Sequence, residues 1–342
     1  MIPLHEIKKI ALFRALQLGD LLCSVPAMRA LRKACPQAEI TLIGLPWAKS
    51  FVERFSGYLD NFIVFPGFPG LPEQPFTPSE VVDFIQTIQN QHFDLAIQMQ
   101  GNGTIVNPLV YLFSAKYTAG FCLKNDFCAD AAQFLEYPKG ISEIEKHLML
   151  MNHLGIVSDG MHLEFPITRQ DEMDFQQLQL EIDEKKYVCI HPGSRGSWRQ
   201  WPPEYFASLA DYSVSQDLPV VITGTRDETA IVEEVMRHMN CVAINTAGKT
   251  SLGAVGVLIR NAYALISNCT GVSHMASAFQ TPGVVISMDG EPERWAPLNR
   301  QLHRTIDWTK KPEYSLVFAE TMALLSLNSQ QTHKGKLEAK RS

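Results

Sequence analysis

A chain of 342 residues exceeds one typical domain, and 46% hydrophobic with 19% charged residues supplies apolar side chains for two cores, which excludes wholesale disorder. A formal net charge of −6 excludes a global pull toward nucleic acid and leaves only a local basic patch to bind phosphate. Seven cysteines without a Cys-x-x-Cys read as reduced structural thiols, and neither a signal peptide nor an apolar run of about 18 residues able to span a membrane is expected.

The first strand is expected at residues 9–15 (KIALFRA), followed by Gly19-Asp20 and an amphipathic helix over 21–35 that Pro36 ends. Strand 40–44, helix 48–55 and strand 62–65 set up the alternation of a parallel sheet with crossover helices. The stretch 66–78 (PGFPGLPEQPFTP) predicts a surface loop, after which helix 79–90, strand 94–99, helix 106–113 and strand 116–121 follow. Residues 122–140 read as irregular and 142–154 as a helix closed by Gly155. The pattern lapses over 156–168, which places the domain boundary between residues 160 and 161. A polar helix over 170–181 leads into strands 187–191, 219–223, 243–245, 264–267 and 284–288, alternating with helices 203–215, 228–239, 252–260 and 272–279. A helix over 313–327 closes the second series, and the polar tail 328–342 is expected to be disordered. The fold class expected is therefore α/β, with two doubly wound Rossmann-like domains, 1–160 and 161–327, facing a cleft.

Ligands of doubly wound sheets bind beyond the C-terminal strand ends. The richest such exit is HPGSRGSWRQWP, 191–202: Gly193 and Gly196 admit a close backbone approach, Ser194 and Ser197 offer hydroxyls, and Arg195 and Arg199 suit phosphate. A solvated loop with two surface arginines is the alternative. The exit SNCTGVSH, 267–274, opens a helix whose free N–H groups, with Thr270, suit a diphosphate; His274 serves there or bonds locally. At Gly224–Glu228, Glu228 reads as a ribose acceptor or as a helix-start carboxylate. Asp20 reads as a general base or as an N-cap. A dinucleotide fingerprint is missing, because the first turn has only Gly19 and Gly101-Asn102-Gly103 lacks the third glycine. Gly248-Lys249-Thr250 mimics the end of a P-loop, but Ala243 stands where its first glycine belongs.

With these residues in place, the sequence resembles glycosyltransferase family nine, the heptosyltransferases of lipopolysaccharide core assembly, from about Lys9 to Pro297. Arg14 to Pro26 resembles the family's N-terminal motif. His191-Pro192-Gly193 with Arg199-Gln200-Trp201-Pro202 resembles its donor loop, Gly224 to Glu228 its nucleoside element, and Thr270 to His274 its diphosphate element. Two positions depart: Arg199 stands where a lysine is common, and Cys269 where the family has an aspartate. The resemblance implies a B-type glycosyltransferase fold and a nucleotide-diphosphate-sugar donor, ADP-heptose by analogy. It further implies inversion at the anomeric carbon and no metal or other cofactor. Asp20 and Arg199 are expected to be catalytic. His191, Gly193, Ser194, Thr223, Gly224, Glu228, Thr250, Thr270, Gly271, Val272 and His274 are expected to hold the donor, and Gly19 and Phe68 the acceptor. The acceptor is expected to be a glycan or lipid-linked glycan, met by a cytoplasmic enzyme peripheral to the inner membrane. A non-catalytic sugar-nucleotide-binding homologue, which Cys269 favours, and a nicotinamide oxidoreductase are the other readings.

Overall fold

The computed structural model describes residues 2–339, in two compact units, Met1–Pro166 and Ile167–Ser342. The first contains β1 (Lys9–Phe13), α1 (Leu18–Ala34), β2 (Glu39–Gly44), α2 (Lys49–Arg54), β3 (Asn61–Val64), α3 (Pro78–Gln89), β4 (Leu95–Gln98), α4 (Val106–Tyr111), β5 (Tyr117–Cys122), β6 (Phe134–Glu136) and α5 (Glu143–His153). Ile10, Ala11, Leu12 and Phe13 are all fully buried. Successive strand side chains point to opposite faces, so both faces of β1 are covered, as a parallel sheet requires. The strand order is β3-β2-β1-β4-β5-β6, and every neighbouring pair is parallel. Phe13 meets Phe65 edge-on at 5.0 Å and Phe113 at 6.0 Å, and both pack on Phe84.

The second unit contains α6 (Arg169–Gln177), β7 (Val188–His191), α7 (Pro203–Ser215), β8 (Val220–Ile222), α8 (Thr229–His238), β9 (Ile244–Asn245), α9 (Leu252–Asn261), β10 (Ala264–Asn268), α10 (Gly271–Phe279), β11 (Gly283–Ser287), α11 (Pro292–Trp295), β12 (His303–Asp307) and α12 (Tyr314–Ala339). Its sheet, β12-β11-β10-β7-β8-β9, is again parallel throughout. Counted from its own first strand, each sheet has the doubly wound order 3-2-1-4-5-6. That order reverses direction between β1 and β4 in one unit and between β7 and β10 in the other, and such reversal points open a crevice for ligand.

The division between units falls a few residues after 160 because the intervening segment is tied to the first unit. Arg29 of α1 donates to the Asp159, Gly160 and His162 carbonyls and to Glu164 at 2.9 Å; Tyr58 donates to Glu164 at 2.8 Å. The Arg54 guanidinium covers the Phe165 ring at 4.4 Å. Strands β6 and β12 are absent from the sequence expectation. Both lie at sheet edges, where a strand needs no continuous apolar run. Helix α12 continues past residue 327 to Ala339, so the expected tail begins inside a helix; its last three residues lie outside the described ones. Among the described residues no helix is long and apolar enough to cross a membrane.

Candidate active site

In the first unit the reversal point is occupied by charge. Gln17, not Asp20, is the N-cap of α1; Asp20 stands in the first turn, with its side chain 23% exposed. The N-cap reading of Asp20 is thereby corrected. Beneath it lies Arg14, fully buried at the end of β1. A buried guanidinium must be hydrogen-bonded throughout. Its Nε donates to the Asp20 carbonyl at 2.9 Å, one Nη to the Met99 carbonyl beyond β4, and the other to Glu143 Oε1 at 3.4 Å. That last nitrogen lies 3.9 Å from the Asp20 carboxylate, so Arg14 bridges Asp20 and Glu143. Glu143, 3% exposed, also pairs with Lys146 at 2.8 Å, and Lys146 donates to the Tyr137 hydroxyl at 2.9 Å. His147 completes the cluster, 3.4 Å from Glu143; burial and then the Arg14 charge push its pKa down to about 4. Gly19 sits in the same first turn of α1. Phe68 is half-buried against the first unit's core, beside its bridge partner Leu71, which matches packing more than an open sugar-stacking face.

In the second unit the reversal point is lined by glycines, hydroxyls and one side-chain amide, together with the charged residues Glu228, Arg199 and Asp289. The Asn268 side chain, at the end of β10, joins both sides of it: its amide donates to the Pro192 carbonyl at 2.7 Å and accepts from the Trp201 N–H at 3.0 Å. The ends of the 192–201 loop are thus fixed to the neighbouring strand. Trp201 is fully buried, edge-on to Phe206 at 5.0 Å and Trp308 at 5.4 Å. Pro202 then caps α7, and Pro203 takes its first turn, where a missing N–H costs nothing.

The glycine at 193 has a specific reason: a Cβ there would overlap the Glu228 carboxylate. Glu228 closes a capping box, accepting from the Thr225 N–H at 2.8 Å and hydroxyl at 3.0 Å, and lies 3.7 Å from His191 Nε2. Burial holds the His191 imidazole below its ordinary pKa, opposed by the Glu228 charge and a Thr223 main-chain contact. Three buried hydroxyls, of Thr223, Ser267 and Thr270, lack a hydrogen-bond partner. They follow β8, end β10 and cap α10. Thr223 stands past β8, while Ser267 and Thr270 belong to the β10 exit with β7 between them, and a buried hydroxyl is costly unless water or a ligand pairs it.

Arg199 ends a short 3-10 turn over Ser197–Arg199 and pairs with Asp289, beyond the end of β11. Arg195 is exposed, as the solvated-loop alternative expects. Cys269 is buried and neutral, its thiol pushed up to about 12 by burial and by the Asp289 carboxylate, against the Arg199 and Arg300 charges. The carboxylate beside this position therefore comes from residue 289. Thr270 caps α10 without a side-chain cap bond, leaving its hydroxyl and first-turn N–H groups of the kind that helix N-termini offer to anions.

The model of glycosyltransferase family 9 (heptosyltransferase) matches residues 81–317. The chain belongs to that family. Lipooligosaccharide heptosyltransferase 2 of Haemophilus ducreyi is 22% identical over 316 residues, spanning 86% of this chain and 87% of the relative. Among solved structures, Escherichia coli ADP-heptose lipopolysaccharide heptosyltransferase II superposes with a TM-score of 0.75 at 19% identity, covering 94% of this chain and all of that one. The family 9 glycosyltransferase of Veillonella parvula gives 0.72 at 19% identity, over 94% of this chain and 90% of its own. A family 9 member is a glycosyl-transferring enzyme, and its B-type α/β fold is the one the sequence leads one to expect.

The fold brings together His191, Gly193, Thr223, Gly224 and Glu228 around the β7 and β8 exits, and Ser194, Arg199, Thr270 and Gly271 around β7 and β10. Val272 and His274 are buried one turn into α10, and Thr250 lies one exit further, before the Ser251 cap of α9. Three residues escape the sequence reading: Asn268, Asp289 and Glu143. Arg14 is the signal for the last, since a charge closing an apolar strand must find a buried partner.

Proposed function

We propose that this family 9 enzyme transfers heptose from ADP-heptose to a lipopolysaccharide-core acceptor, with inversion and without a metal ion. The observation that carries the reading is the second unit's reversal point. Arg199 reaches across the β10 exit to Asp289, and the N-terminus of α10 with the Thr270 hydroxyl opens from that same exit, the equipment for a leaving diphosphate. Asp20, at the first unit's reversal point, takes the proton from the acceptor hydroxyl. The freed oxygen attacks the anomeric carbon from the face opposite the diphosphate, the bond to the diphosphate oxygen breaks, and configuration inverts. Charge growing on that oxygen is met by Arg199 and the α10 N–H groups, which makes a divalent cation unnecessary. Gly193, Gly224 and Glu228 take the nucleoside, and Gly19 with the 66–77 loop takes the acceptor. ADP-heptose and the lipopolysaccharide core follow from the names of the relatives. The reaction belongs in the cytoplasm, at the inner membrane face where a lipid-linked acceptor is held.

A thermal-shift screen against ADP-, UDP-, GDP- and dTDP-sugars, followed by transfer to heptose-deficient lipopolysaccharide, tests this. ADP-heptose is expected to stabilise the protein and to be consumed. Stabilisation by another nucleotide sugar alone overturns the donor assignment; binding without transfer leaves the non-catalytic homologue that the neutral Cys269 favours.

A further inference from the structure

Arg199 begins on the loop after β7, yet its partner carboxylate lies beyond β11. Strand β10 runs between those two, so the ion pair crosses the exit where Cys269 sits. Asp289 is itself fixed: its Oδ1 accepts from the Ser287 hydroxyl at 2.9 Å and from the Glu291 N–H at 3.2 Å, and its side chain is 7% exposed. On its other side the Arg199 guanidinium faces the indole of Trp198 at 5.6 Å. An unpaired arginine on a glycine-bearing loop spreads over many rotamers, and that rotamer entropy is lost when a ligand orders it. One nitrogen held by an anchored carboxylate sets the plane of the whole fork, and the other N–H groups stay available.

We infer that Asp289 is a positioning residue of the donor site: it acts through Arg199, aiming the guanidinium at the departing diphosphate, and rests on the donor reading above. Cys269 fits this arrangement because a neutral thiol adds no second negative charge beneath the diphosphate.

Asp289→Asn keeps the oxygen that Ser287 and Glu291 use and removes the charge that holds Arg199. Transfer from ADP-heptose is expected to lose about 10- to 100-fold in kcat, the scale of a misaimed catalytic group. ADP affinity by calorimetry is expected to change less than about threefold, since the benefit arises in the transition state. In an Arg199→Ala background the same substitution is expected to change kcat less than about twofold, because the partner it acts through is gone. Losses that multiply in the double variant make Asp289 merely structural and overturn the proposal. Tighter ADP binding with kcat intact makes Asp289 a competitor of the diphosphate and also overturns it. A donor-independent arm uses fluorine NMR of fluorotryptophan-labelled protein without ligand, with the Trp198 resonance assigned by Trp198→Phe. Asp289→Asn is expected to shift or broaden that resonance and leave buried Trp201 in place. An unmoved Trp198 resonance overturns the proposal even where wild type neither binds ADP nor transfers, a result that by itself removes only the donor reading.

Discussion

The two units share one strand order and one reversal point, yet place opposite chemistry there. Around Asp20 the first unit gathers a buried cluster of Arg14, Glu143, Lys146 and His147, which fixes one carboxylate. Around Thr270 the second unit gathers glycine, hydroxyls, an amide clamp and one paired arginine, which suit a polar group many atoms across. The doubly wound topology supplies the place, and under the proposed function the residues just past each strand set whether a proton or a diphosphate is handled there.

The sharpest way to break this contrast is Asp20→Asn. The Arg14 contact to the residue-20 carbonyl is main-chain and survives the change. Transfer is expected to fall by about 10²–10⁴ in kcat, the span of general-base catalysis, with ADP affinity retained. A wild-type rate in steady-state assays would remove the first unit from the chemistry. Next in size is Arg199→Ala, which removes a donor to the leaving oxygen and is expected to cost about 10²–10³ in kcat, with a smaller loss in ADP binding by calorimetry. Equal losses in both would make Arg199 a ground-state binder and blur the division of labour.

The foundation of the first unit can be tested by pH. His147 titrates near 6.5 when unfolded and near 4 when folded, so between these values the unfolded chain binds the extra proton. Stability is therefore lost as pH falls from about 6.5 toward 4, by about 3 kcal/mol from this group. His147→Gln is expected to flatten denaturant midpoints measured across that window; an unchanged pH slope would exonerate His147. The smallest effect expected is that of Gly193→Ala. The new methyl displaces the Glu228 carboxylate from its capping box, which is expected to raise donor KM with little loss of stability and to leave Asp20-dependent chemistry intact. Unaltered donor KM would detach Glu228 from the nucleoside.

What the sequence discloses and what it hides divide along physical lines. Strands covered on both faces, such as residues 10–13 and 264–266, carry unbroken apolar runs, and the glycines, Trp201 and Pro202 around them are legible as a strand exit. Edge strands β6 (FLE) and β12 (HRTID) carry no such signal, the first because it is only three residues long and the second because polar residues interrupt it. Asn268 and Asp289 are hidden for another reason. Their importance lies in partners on the loop after another strand, Trp201 and Arg199, and spacing along one chain does not encode the register between strands. Glu228 is legible by type but not by role, since capping a turn and accepting from a ribose call for the same side chain.

The aromatic stack under the donor loop bears on the order of synthesis. Trp201 packs on Trp308 and stacks on Tyr314 at 6.2 Å, and Tyr314 shares a 2.6 Å hydrogen bond with Ser208 of α7. The loop's floor is therefore completed by residues that leave the ribosome long after the loop itself. Trp201 and Tyr205 both stack on Tyr314, so the donor loop's floor is complete only once the last helix has docked.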